Sequence, residues 1–411
     1  VGGGLGNTAS GTCFNVVVGG SGNEASCQNE IANFIGGGES NCLWTPQGRG
    51  NSILGGSGNT MSSRYQNFNT ISGGCNNSVP FCQSCSHFIG GGSSNSVGSS
   101  FSCNSSILGG ENNCAIGSHA SVLGGSGNTS RQHAISGGIN ANACNCSIAM
   151  GYQSQATSNY GFSTGYLSLA SGAHGMALGY SSCAAGRESA ALGRNARAIE
   201  CRSTAFAVST ASGCDSIAGA GGCATGHNSV SFGDGTYTNL KGQFASSSGQ
   251  AIYSGGNQIS LISAKLDSGY SASGTSYSFT LGDGSGINFQ TPAGETVPYN
   301  MFLKVTVVFG ARAVATDITT IAENDLFTAS YELCVRKKMG GTREILGTPQ
   351  LTNSFSDSGL SSTVVNFAIA GGTDLDISVT PPSWTGGNIR FVGTASIIAT
   401  QMGMHREIIN P

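Results

Sequence analysis

Residues able to do acid–base chemistry are sparse over most of the chain. Before residue 257 the carboxylates are Glu24, Glu30, Glu39, Glu111, Glu188, Glu200, Asp215 and Asp234. A polysaccharide hydrolase would need two of them paired across a cleft. Glu188 and Glu200 are spaced to fall on neighbouring turns of a repeat, but Arg187, Arg194, Arg197 and Arg202 surround them, so solvated ion pairs are expected. No catalytic residue is assigned and the chain is not read as an enzyme. Cys82, Cys85 and His87 make half of a zinc pattern. A structural site takes four ligands, no second Cys-x-x-Cys follows, and Cys144 and Cys146 have the wrong spacing. A loop with incidental thiols is expected there, with no metal and no cofactor. Glycine pairs abound without the strand, Gly-Lys-Ser/Thr and helix of a phosphate loop. Asp234-Gly235 and Asp283-Gly284 read as turns. What remains is binding. Trp384, one of 2 tryptophans, sits in Pro381-Pro382-Ser383-Trp384-Thr385-Gly386-Gly387, where an indole could stack on a sugar or plug the underside of a sheet. It is the candidate receptor-binding residue.

The elements that would carry such residues are written as a repeat. Between Ser147 and Ser216, Ile148, Phe162, Met176, Ala190 and Thr204 fall 14 apart, as do Gly151, Gly165, Gly179 and Gly193. Ala207 interrupts the glycine column and Gly221 resumes it; Ala156, Ala170, Ala184 and Ala198 form another column, and Ser154, Ser168 and Ser182 a third. Columns in constant phase are the mark of a solenoid. Helical repeats are longer and avoid glycine. Ile148 and Met150, or Met176 and Leu178, alternate with Ala149 and Ala177, the pattern of a strand with one buried face. Residues 147–231 are therefore read as a β-roll.

Residues 1–146 carry a looser unit, an apolar residue before a Gly-Gly pair and then an asparagine. With anchors at Val17, Phe34, Ile53, Ile71, Phe88, Ile107, Val122, Ile135 and Ile148, the spacings are 17, 19, 18, 17, 19, 15, 13 and 13. The extra residues, among them Trp44, Pro46, Tyr65, Pro80 and Phe81, are expected in loops on one side. About 15 coils at about 4.8 Å each would make a solenoid about 70 Å long. A coil this short encloses little core, so one chain alone is marginal and association is expected.

From Phe232 the phase fades, and 232–256 reads as a junction. Residues 257–411 then show alternating apolar runs at Met301 to Phe309, Phe327 to Lys338, Thr363 to Ala370 and Asn388 to Ala399, which predict an antiparallel β-sandwich.

Charged residues are 9% of the 411 and glycine accounts for 66, while 38% of the chain is hydrophobic in strict phase, which argues for order. The net charge of -3, with no lysine before Lys241, gives no basic groove for nucleic acid. No apolar run of about 18 residues is present, so no membrane-spanning helix is expected. Because the chain starts at Val1, an upstream virion-attachment part is expected to precede it. Of 15 cysteines only Cys334 lies beyond the repeats. Cys183, Cys201, Cys214 and Cys223 read as different phases, leaving two accounts open: free thiols in small slots, or disulfides between neighbouring coils or chains.

Ser147-Ile148-Ala149-Met150-Gly151-Tyr152, Gly175-Met176-Ala177-Leu178-Gly179 and Ser189-Ala190-Ala191-Leu192-Gly193 resemble the head repeats of YadA-type trimeric adhesins. That resemblance implies a homotrimer of left-handed parallel β-rolls. The stretch Val305 to Thr342, with Phe309-Gly310-Ala311-Arg312, Ala329-Ser330-Tyr331-Glu332-Leu333 and Lys338-Met339-Gly340-Gly341-Thr342, and the strand Asn388-Ile389-Arg390-Phe391-Val392 are similar to a C-terminal domain of tailed-bacteriophage fibre proteins; where that family carries a second arginine and an Asp-rich connection, this chain has Ala311-Arg312-Ala313-Val314. The expectation is an all-β protein, a parallel β-solenoid followed by a β-sandwich. It would serve as a trimeric virion fibre that presents its C-terminal domain to a host-surface receptor, a glycan among the candidates. The alternative is a cellular surface adhesin. A secreted trimeric autotransporter would end in membrane strands, and Arg406 to Pro411 do not form one. An ice-binding face would need threonine columns, and serine and asparagine stand there instead.

Overall fold

The structure is a computed structural model that describes residues 1–11, 14–27, 32–62, 67–80, 86–98, 102–247, 258–271, 276–281, 286–287, 299–314, 318, 320–337, 342–371, 374–385 and 387–403. It is nearly all β and divides into two compact units, Val1–Ala198 and Ile199–Pro411.

The first unit is a parallel β-solenoid in which each coil adds one short strand to each of two sheets. One sheet stacks strands such as Phe34–Ile35, Ser52–Ile53 and Thr70–Ile71; the other stacks Glu24–Cys27, Cys42–Trp44 and Thr60–Ser62, all in parallel register. Counted over both units, 16 turns stack in this way.

Register corrects the phase read from sequence for residues 1–146. The inner column is Val17, Ile35, Ile53, Ile71, Ile89 and Ile107, all fully buried, and Phe34 and Phe88 belong to the outer column beside it. Anchoring on the larger phenylalanines mixed two columns. From Val17 to Ile107 the true period is a constant 18, as in the rungs joining Asn23, Asn41, Asn59, Asn77, Asn95 and Asn113, whereas the rung from Asn7 to Asn23 is 16 and those after Asn113 are 15 and 13. Trp44 is not in a loop: it ends the strand Cys42–Trp44, paired to Ser26 and Ser62, and is exposed. Pro46 lies in a turn after that strand and Pro80 directly follows Ser78–Val79, whereas Tyr65 and Phe81 lie outside the described residues.

A core this narrow tolerates polar groups only if they are fully paired. Asn41 shows how: its Nδ2 donates to the carbonyls of Gly37 and Gly56 at 2.9 Å each, and its Oδ1 accepts from the Asn59 backbone N–H at 3.0 Å. Gly38 makes this corner with φ +94, and a Cβ there would meet the Gly56 carbonyl at 2.0 Å. The ladder ends at Asn128, whose Oδ1 caps the Ala141 N–H. Beyond it the column turns small, through Ser154 and Ser168, and the rung there is 14.

In the second unit the coils persist beyond the point where the sequence phase fades. Val230–Phe232 pairs in register with Phe244–Ser247, so most of the expected 232–256 junction is one more coil; 248–257 lie outside the described residues. Phe244–Ser247 then pairs antiparallel with Gln258–Ser271, the first strand of the C-terminal module. Gln243 Nε2 donates to Ser260 Oγ at 3.0 Å, and Gln258 Oε1 accepts from the Tyr237 N–H at 2.9 Å. Within this unit the last coil and the module therefore share a sheet rather than a free linker.

The module has two antiparallel sheets. One runs Gln258–Ser271, Ile389–Gly403, Tyr299–Val314, Leu326–Lys337, Arg343–Ser356. The other is 3-stranded: Tyr277–Ser278, Asp374–Thr380, Val364–Ala370. Both contribute to one core around Phe309, Phe391, Leu303 and Ile377, the expected sandwich. Arg343–Ser356 escaped sequence reading because it is an edge strand, interrupted by Gly347 and Pro349, with no buried residue to give an alternation.

Candidate functional site

From Ile148 to Met176 the repeat columns stack as their spacing requires; beyond Thr204 the register is 13, so Ala220 rather than Gly221 follows Ala207 in the column. Ile148, Phe162 and Met176 are register partners, and so are Gly151, Gly165 and Gly179, each glycine at φ between +122 and +128, with Gly193 at +109. Where alanine interrupts, Ala207 itself takes φ +53, so the position demands the left-handed region.

Of the two alternating faces, the alanines are buried. Ala149, Ala177 and Ala191 are at 0% exposure, whereas Met150 is 38% and Met176 40% exposed, with Ile148, Phe162 and Leu178 half-buried beside them. A 14-residue coil has room only for methyl groups inside, so its larger apolar side chains point outward. The outward face also balances volume within four of the coils: Phe34 is followed by Gly36, Ser52 by Leu54, Phe88 by Gly90, Ser106 by Leu108. The Phe34 and Phe88 rings lie over these glycines, 3.4 Å from where a Cβ would stand. This sheet face, with Phe34, Leu54, Phe88, Leu108, Met150 and Met176 exposed along it, is a candidate interaction surface of the first unit.

Next to it, Tyr152, Tyr166 and Tyr180 stack with centroids 4.8 and 5.0 Å apart, capped by the Arg194 guanidinium at 5.9 Å. Their faces are occupied by one another, so their edges and hydroxyls meet solvent.

Trp384 corrects an expectation. It is 5% exposed, its Nε1 donates to the Gly387 carbonyl at 3.3 Å, and its ring packs edge-on against Phe391 at 5.4 Å. No face is left for a sugar; the ring plugs the sandwich core, the second of its two sequence readings.

A hollow on the outer face of the module was missed by sequence reading. It has a volume of about 330 Å³ and is lined by Val308, Gly310, Ala311, Arg312, Asn324, Asp325, Leu326, Val392, Gly393 and Thr394. Gly310 leaves the gap: a Cβ would approach the Asp325 carbonyl at 3.0 Å. Asn324 holds the bend at φ +71, its N–H donating to the Ala311 carbonyl at 2.8 Å. Arg312 is exposed, and one oxygen of Asp325 accepts from the Ala322 N–H at 2.9 Å. A cation, an acidic residue and an apolar floor thus line one hollow. The available signal was Phe309-Gly310-Ala311-Arg312, an outward glycine in a strand next to a lone charge.

The remaining candidates resolve individually. Glu188 pairs with Arg187 at 2.9 Å, and Asp215 with Arg202, which holds the Asp215 carboxyl below its usual range. Glu188 is thus in a solvated ion pair, as expected, whereas Glu200, expected in one too, has Cys214 Sγ 3.9 Å from its Oε2. His87 is buried: its Nδ1 accepts from the Ser105 N–H at 3.2 Å and its Nε2 lies 3.4 Å from Ser102 Oγ, so both ring nitrogens are engaged, while Cys82 and Cys85 lie outside the described residues. Cys183 and Cys223 sit in strands. Cys201 and Cys214, contrary to the phase read from sequence, take the same turn position on successive coils, with the Asp215 N–H donating to the Cys201 carbonyl at 2.9 Å. No described cysteine is in a disulfide.

No family model matches the chain, and no curated protein does. Among solved structures, the tailspike protein of Acinetobacter baumannii phage AM24 aligns over 93% of this chain and 68% of its own, at 9% identity and a TM-score of 0.22. An overlap that weak does not establish a common fold.

Proposed function

We propose that the chain is a structural fibre protein of a virion, a homotrimer whose β-solenoid is a rigid spacer and whose C-terminal sandwich engages a host-surface glycan. The observation that carries the assembly is the inverted packing of the coils, with alanine inside and Ile148, Phe162 and Met176 aligned outside. A stripe of that kind is covered when rolls share an axis, and the resemblance to trimeric adhesin heads supplies the number three. The phage-fibre resemblance of Val305 to Thr342 supports the virion.

The hollow beside Arg312 supports the receptor role. Its volume is at the small end of ligand pockets. Val308 and Gly310 offer a floor for the C–H face of a pyranose, and Arg312 and Asp325 offer a donor and an acceptor for its hydroxyls. Asp325 is the single carboxylate of the lining, whereas glycosidic hydrolysis ordinarily uses a pair, so binding is the chemistry this set favours.

The test is a glycan array probed with the labelled protein and with Arg312→Ala. Binding lost in the variant, with melting temperature unchanged because Arg312 is exposed, supports the assignment. Equal binding by the two proteins removes the hollow from the receptor role.

A further inference from the structure

We propose that Glu200, Cys201 and Cys214 form a binding site for a thiophilic divalent cation of the zinc class. One donor atom from each lies within 4.8 Å of the other two. Two stacked turns produce this convergence. The Ser203 N–H closes one on the Glu200 carbonyl at 3.2 Å and the Ser216 N–H closes the next on the Gly213 carbonyl at 3.2 Å, which places Cys201 and Cys214 one above the other. The ion pair between Arg202 and Asp215, one residue further along each turn, fixes the two turns against each other.

The distances suit the chemistry. Zinc–sulfur and zinc–oxygen bonds of about 2.3 and 2.0 Å in a tetrahedral arrangement put neighbouring sulfur and oxygen ligands about 3.5 Å apart. Cys214 Sγ lies 3.9 Å from Glu200 Oε2, a few tenths of an ångström from that spacing, and Cys201 Sγ lies within 4.8 Å of both. The residue types also need an explanation that packing does not give. The equivalent turn position holds Arg187 in an earlier coil, then His227 and Lys241 in later ones, all residues suited to solvent. Two thiols there do not fill a core. His227 stands on the next rung, tied by the Asn228 N–H to the Cys214 carbonyl at 2.9 Å. Binding replaces the two S–H protons, which pass to solvent, by two metal–sulfur bonds, and the carboxylate and open side of the site complete a shell that includes water. No electron is transferred.

This inference is independent of the receptor and trimer assignments. The test uses the full chain, reduced and then kept under argon, dialysed against Zn²⁺ in a chelator-buffered series, beside a Cys201→Ser/Cys214→Ser double variant and Glu200→Gln. The expected result is one more tightly held zinc per chain in the native protein than in the double variant, and with Co²⁺ a sulfur-to-cobalt charge-transfer band that the double variant lacks. Glu200→Gln keeps both thiols and the band but binds at least about tenfold more weakly, the lower end of what disturbing even an outer partner costs. Circular dichroism matching the native protein verifies that the variants are folded. Equal zinc content in native protein and double variant overturns the site, as does unchanged affinity in Glu200→Gln. A peptide mass showing a Cys201–Cys214 disulfide in protein purified without reductant also overturns it.

Discussion

His87 occupies a place in the inner column that Asn69 and Asn51 fill one and two coils earlier. Burial lowers its pKa from 6.5 to about 4, against the opposing pull of the ring's hydrogen bonding to the backbone at Ser105 and Ser102. The folded value lies below the unfolded one, so the unfolded chain binds the extra proton. Stability from this site is complete above about pH 6.5 and is lost as pH falls towards about 4, at about 1.4 kcal/mol per pH unit. Denaturation followed at about pH 7 and pH 5 should show that slope, and His87→Asn should remove its part of it; an unchanged slope in the variant contradicts the assignment. Trp384 belongs at this scale too. Its indole fills space against Phe391, so Trp384→Ala should cost about 3–5 kcal/mol of stability. A variant that melts normally yet loses cell attachment would return the residue to the receptor surface. Sequence named Trp384 but could not say which way the ring faced, because Pro-Pro-Ser-Trp-Thr is equally the sequence of an exposed loop and of a plug.

At the scale of the coil, close backbone approach sets what is allowed. A Cβ on Gly165 would come to 2.1 Å of the Gly179 carbonyl, at a φ of +122. Gly165→Val is therefore expected to destabilise by more than about 4 kcal/mol, in the range reserved for breaking a special backbone position. Thr164→Val, one residue away on the outward face, should leave the melting temperature nearly unchanged; equal effects in the two would refute the column's steric role. These glycines were legible from spacing alone, since a constant period and a positive-φ residue type leave little freedom. The N-terminal period was not, because Phe34 and Phe88 are larger than Ile35 and Ile89 and drew the phase to the outer column. Which face is buried follows from the shortness of the coil, not from the alternation. Alternation between Ile148 and Ala149 is the same pattern whether methionine or alanine points inward, and only the width of the coil decides it. The hollow at Arg312 comes from three separate segments, so no local window of sequence contains it.

At the scale of the whole molecule, the solenoid and sandwich were readable because one has a period and the other has runs between turns, while the pairing that joins Phe244–Ser247 to Gln258–Ser271 was not, since it is set by register across residues far apart in pattern. The central claim is that the outward column of Ile148, Phe162 and Met176 is covered by other copies of the chain. Sedimentation equilibrium, or light scattering behind size exclusion, measures this directly. The account predicts three times the 41.3 kDa chain mass for the native protein, and a shift towards the single-chain mass when Phe162 and Met176 are both changed to serine. A native protein that sediments as a 41.3 kDa monomer at micromolar concentration would contradict it.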